Sequence, residues 1–167
     1  MAAHTMVSPA GSTHAAASLR SRIASIRGAL GRFPLAAHQL LFRLAIAGVF
    51  LKAGLLKVMS WQSTVALFRD EYNVPVLPPE VAAVLGASVE IGCSTLLILG
   101  LASRLATLPL LGMIMTIQLF VYPDAWPEHL VWVSILVFLL TRGPGSISID
   151  RMIGLEPGEG SSAATSR

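Results

Sequence analysis

Arg43, Lys52 and Glu90 stand inside stretches that are otherwise apolar enough to cross a lipid bilayer. A charge at the bilayer centre costs about 3 kcal/mol or more, so it is kept where it pairs inside a bundle or lines a polar cavity. A cation beside a carboxylate in an apolar cleft can polarise a bound carbonyl and exchange protons with it. With His129 and Trp132 farther along, these residues are the chain's candidates for chemistry.

Other chemistries lack their residues. Cys93 is the single cysteine, so dithiol chemistry needs a partner's sulfur. His38 and His129 fall at opposite ends of the predicted spans, about 30 Å apart, and cannot share a haem iron. No zinc spacing, Ser-His-Asp set, phosphate loop or dinucleotide glycine pattern occurs, so neither a metal nor a nucleotide is expected. The sequence pI near 9.6 invites a nucleic-acid reading. The basic residues, however, stand within or beside the apolar runs or in the amino-terminal tail and do not cluster with aromatics, which excludes it.

The elements that must position these residues follow from composition. The 167 residues are 54% hydrophobic and only 13% charged, with a mean hydropathy of +0.70; a soluble domain would carry about 25% charged residues. Four apolar segments, at 38–58, 81–102, 105–121 and 127–141, predict an all-α bundle of four transmembrane helices. The last is short, and Trp126 with Arg142 would seat its ends at the interfaces. Arg20, Arg22, Arg27, Arg32, Arg104, Arg142 and Arg151 then share one side. Asp70, Glu71, Asp124 and Glu128 share the other with Lys57 and Arg69, so both termini are predicted to be cytoplasmic.

Residues 1–37 read as a basic cytoplasmic tail with an amphipathic stretch at 19–33, where Leu19, Ile23, Ile26 and Leu30 recur at helical spacing. Nothing in it reads as a secretory signal. Residues 154–167 are polar and read as a flexible tail. The connection from Ser60 to Pro79 holds Trp61, Phe68 and Tyr72, too apolar for a free linker. It predicts a short surface helix, then an extended stretch, with Pro79 in the first turn of the next span.

Helical spacing assigns the faces. Glu90 shares one with Ala83, Gly86, Ala87 and Ser94, the small residues expected where membrane helices touch. Lys52 shares a face with Ala45 and Gly48, while Arg43, Ala47, Gly54 and Lys57 fall on roughly the opposite side. The small-residue face predicts Lys52 as the partner of Glu90, with Arg43 snorkelling to the cytoplasmic interface.

The stretches Arg43–Trp61, Tyr72–Gly92, Leu97–Leu108 and Arg142–Gly154 together resemble the DoxX family of small four-helix membrane proteins over about residues 40–153. The resemblance is carried by Lys52, Gly54 and Lys57, by Glu90, by the turn from Gly100 to Arg104, and by Gly143, Pro144, Gly145, Ser148 and Asp150; its structural motif is Arg43, Gly54, Lys57, Arg104, Gly143, Gly145 and Asp150. It implies a DoxX-like domain at 38–153 and, by association with thiosulfate:quinone oxidoreductase and terminal quinol oxidase subunits, quinone-linked redox chemistry in a bacterial inner membrane. The chain would be at most a component of an oxidoreductase, with a redox partner subunit and an oligomeric assembly as its expected company. Lys52, Glu90 and Trp132 would meet the quinone, and His129 or Arg43 would relay protons. The alternative is a non-catalytic scaffold whose buried charges fix helix packing.

Overall fold

Apolar periodicity resolves into helices throughout the computed structural model, which describes residues 20–22, 24–28, 31–72 and 76–155. The chain divides into two units, Met1–Pro34 and Leu35–Arg167. In the first unit residues 20–22 and 24–28 are helical and exposed, within the predicted amphipathic stretch; Leu19, Ile23, Leu30 and both outer tails lie outside the described residues.

The second unit is built from α1 (Leu35–Met59), the short α2 (Trp61–Leu67) running into a π-helical turn (Phe68–Tyr72), α3 (Pro79–Leu99), α4 (Ser103–Phe120), a 3-10 turn (Pro123–Ala125), α5 (Trp126–Arg142) and the one-turn α6 (Ile149–Met152). No strand occurs among the described residues. Proline opens α3 at Pro79, where its missing N–H costs nothing. The helix closes at Gly100, whose φ of 68° lets Leu101 N–H turn back to the Leu96 carbonyl at 2.9 Å. A three-residue turn leads into α4.

The packing is antiparallel between neighbours, with α1 and α4 each touching both α3 and α5. Phe42 meets Phe138 and Phe50 meets Trp132 edge to face, at 5.1 and 5.6 Å, as α1 and α5 run in opposite directions. Ile46, Ala47, Phe50, Leu97, Leu110, Ile114, Leu136 and Leu139 form the central core. Phe68, Ala82 and Ala83 form a smaller one under the π-turn.

Three helical segments, Pro79–Leu99, Ser103–Phe120 and Pro123–Arg142, are long and apolar enough to cross a membrane. α1 is longer, at 25 residues, and carries Arg43, Lys52 and Lys57. The outer surface is apolar as well: Leu44, Val84, Leu105, Leu108, Leu119 and Val131 are all exposed. In lipid such side chains are already solvated, so the bundle is held by close packing and interhelical polar bonds.

Candidate functional site

The rotation of α1 decides which charges meet. Its buried residues are Gln39, Arg43, Ile46, Ala47, Phe50 and Gly54, a single stripe at helical spacing. A Cβ added at Gly54 would lie 2.7 Å from Ile91 Cγ1 and 2.9 Å from Glu90 Cβ, whereas one at Gly48 would meet nothing within 4 Å. Gly54 is therefore the point of contact with α3. Lys57, one turn on, sends Nζ to both Glu90 carboxylate oxygens at 2.6 and 2.8 Å. The lysine side chain is 19% exposed and the glutamate 3%.

Lys52 is not the partner of Glu90. It is exposed on the far side of α1 with Ala45 and Gly48, because five residues at 100° each separate it from Lys57 by about 140°. The small residues that pointed to Lys52 line the outside of the helix. Arg43 also departs from its expected place at the interface: it is 2% exposed. Its Nη1 donates to the Pro144 carbonyl at 3.3 Å, and its guanidinium lies against Gly100.

Above the ion pair lies a cavity of about 270 Å³ walled by α3 (Ala82, Leu85, Gly86, Val89), α4 (Pro109, Met113, Thr116, Ile117) and the aromatic side chains Phe68, Tyr72 and Tyr122. Its geometry has local causes. Gly86 leaves room opposite Phe68, and Pro109 inside α4 removes one backbone N–H and loosens the helix there. The π-turn carries Tyr72 to the rim, a use of π-helical turns common at functional sites. Thr64 Oγ1 donates to the Lys57 carbonyl at 3.0 Å, and Arg69 pairs with Glu80 at 2.7 Å, so α2 and its π-turn are tied to both neighbouring helices. Leu77, Leu85 and Tyr122 line the cavity while remaining 41%, 50% and 43% exposed, which marks where it opens.

The polar groups at the rim are connected. Tyr72 and Tyr122 meet edge to face at 5.9 Å, and Tyr122 Oη donates to Glu71 Oε1 at 3.2 Å. Burial, then hydrogen bonding to Tyr122, raises the Tyr72 hydroxyl well above the usual tyrosine range, and Glu71 and Glu90 push in the same direction. Neither tyrosine stands out by composition or spacing. They are 50 positions apart and belong to the two connections at one end of the bundle.

His129 and Trp132 lie elsewhere. His129 is 5% exposed, its Nδ1 2.6 Å from Gln118 Oε1, and Trp132 packs on His129 and Phe50. Neither lines the cavity. Arg104, Gly143, Gly145 and Asp150 gather at the opposite end of the bundle from the tyrosines. Asp150 accepts from Ala102 N–H at 2.7 Å and Ser103 N–H at 2.9 Å, capping α4. Arg104 Nη1 donates to the Leu140 and Thr141 carbonyls, and Gln39 Nε2 to those of Arg142 and Gly143, so the end of α5 is satisfied by two distant side chains.

Known proteins agree with this architecture at one level. No curated protein and no solved structure matches the chain. The family model described as DoxX matches residues 38–123, more than half of the chain and the part that holds Arg43, Gly54, Lys57, Glu90 and the whole cavity lining. With its apolar helices and that match, the chain is an integral membrane protein of the DoxX family.

Proposed function

We propose that this protein is the quinone-binding membrane subunit of an oxidoreductase, with α1 as a fourth crossing and both termini on the cytoplasmic side of a bacterial inner membrane. The observation that carries the reading is an apolar cavity with one lysine–carboxylate pair at its inner end. A quinone is an apolar ring with two carbonyls. A volume of about 270 Å³, just below the usual range of ligand pockets, suits one ring with short substituents while an isoprenoid tail remains in lipid. Lys57 donates to one carbonyl and Glu90 exchanges protons with it. Reduction takes two protons and two electrons. The electrons come from a redox partner, since this chain's residues offer hydrogen bonding and proton transfer.

Photolabelling with an azidoquinone in native membranes tests this. Label on α3 and α4 between Ala82 and Ile117, competed by excess quinone, is expected; label that excess quinone does not displace would sink the proposal. The scaffold reading draws on the same pair, because Lys57 and Glu90 already satisfy each other across α1 and α3. It expects a Lys57→Glu, Glu90→Lys double variant to restore full function of the assembled complex, whereas the quinone reading expects the swapped pair to fail.

A further inference from the structure

We infer that Tyr72, Tyr122 and Glu71 form a proton path between the buried Lys57–Glu90 pair and the aqueous phase at the α1–α3 connection. This rests on the quinone reading and adds the route taken by its protons. A quinone that gains two electrons from a reductant gains two protons at its carbonyl oxygens, and a quinol that loses them must release both. Glu90, with a side chain 3% exposed, is shielded from bulk water, so its protons pass by way of neighbouring groups.

The surrounding elements narrow the choice of route. α1 brings Lys57 to the cavity, while Lys52 points away. α4 brings Pro109, Met113, Thr116 and Ile117, none of which ionises, and Thr116 Oγ1 donates to the Gly112 carbonyl at 3.0 Å. On α3, Cys93 packs toward the central core and Glu80 is engaged by Arg69 at the surface. From α5, His129 is held at the Gln118 corner. The π-turn and the α4–α5 connection supply Tyr72 and Tyr122, the other ionisable groups that line the cavity among the described residues.

Their arrangement leads from the pair to the rim. Tyr72 lines the same cavity as Lys57 and Glu90 and adjoins Tyr122 on its other side. Tyr122 Oη donates to Glu71 Oε1 at 3.2 Å, and Glu71 is exposed. A hydroxyl donates one proton while accepting another, so two tyrosines in series pass a proton without either becoming a phenolate. Burial suits Tyr72 to that task by keeping it neutral. Ring contacts, Phe68 with Tyr72 at 5.0 Å and Tyr72 with Tyr122 at 5.9 Å, hold the pair in line.

The test uses the full chain in lipid nanodiscs loaded with a short-tailed benzoquinone, with reduced methyl viologen, which gives up electrons without releasing protons, as the electron source and a pH dye in the buffer. Tyr72→Phe and Tyr122→Phe keep the rings and delete the hydroxyls. Compared at saturating quinone, each is expected to take up protons after reduction about 100-fold more slowly than the wild type, the low end of what a positioned proton carrier contributes. Glu71→Gln should slow uptake while leaving binding unchanged. Wild-type uptake rates in both tyrosine variants, with quinone bound, would overturn the path and leave the occupant standing. Failure of the wild type to bind quinone saturably would overturn both.

Discussion

Lys57 Nζ contacts both carboxylate oxygens of Glu90, at 2.6 and 2.8 Å, from a helix brought within reach by Gly54 one turn earlier. The pair joins α1 to α3 and forms the polar inner end of an otherwise apolar cavity. Structure and chemistry therefore depend on the same contact.

Removing one member should cost more than removing both. A buried partner left without its counter-charge costs about 3–5 kcal/mol, while replacing both with groups of similar size is nearly neutral. Thermal unfolding in detergent should rank Lys57→Met well below the Lys57→Met, Glu90→Gln double variant. Lys52→Met, on the exposed face, should stay within about 0.5 kcal/mol of the wild type. Equal losses for Lys52→Met and Lys57→Met would contradict this rotation of α1.

Gly54→Ala tests the helix contact itself. The added methyl would sit 2.7 Å from Ile91 Cγ1 and 3.2 Å from the Ile91 backbone nitrogen. Part of the obstruction is main chain, so the helices must separate, at a cost of about 1–3 kcal/mol. Gly48→Ala, with open space around it, should be silent in the same unfolding assay.

At the other end, Asp150→Ala should destabilise by about 2–3 kcal/mol, a typical loss for charge-assisted hydrogen bonds. It frees the Ala102 and Ser103 N–H groups and withdraws the negative charge that faces Arg43. Ala102 sits at a φ of 46°, a left-handed conformation that Asp150 helps to hold. Hydrogen exchange at the α3–α4 turn should rise in this variant, while exchange around Tyr72 stays at its wild-type rate.

Tyr72 sets a pH dependence with a definite sign. Its folded-state pKa is raised, mainly by burial and then by the hydrogen bond to Tyr122. The stability it contributes is therefore fully present below the unfolded value of about 10 and is lost as pH climbs toward the folded value. Between about pH 10 and 11.5, the wild type should lose unfolding temperature more steeply than Tyr72→Phe. Parallel curves would show that the hydroxyl is not shifted.

His129→Gln keeps a hydrogen-bonding group opposite Gln118 and lies away from the cavity. Quinone photolabelling in this variant should match the wild type, and its loss would move the site toward α5.

Much of this protein was already determined by its sequence. Apolar runs of helical length can satisfy their backbones in lipid only as helices, so the all-α class and the rough helix bounds follow from composition. The small residues around Glu90 correctly mark an interior face, and Gly143, Gly145 and Asp150 stand out as a motif before their partners are visible. Tertiary structure decided the rotation of α1. Periodicity offers two faces, one with Ala45, Gly48 and Lys52 and one with Ala47, Gly54 and Lys57, and both hold small residues and a lysine. Only contact with α3 at Gly54 selects the second. Arg43 is likewise buried because the segment after α5 folds back over it, and the two tyrosines meet because two connections distant in sequence end at the same rim. A helical pattern specifies which residues share a face; which face turns inward depends on the surface of its neighbour.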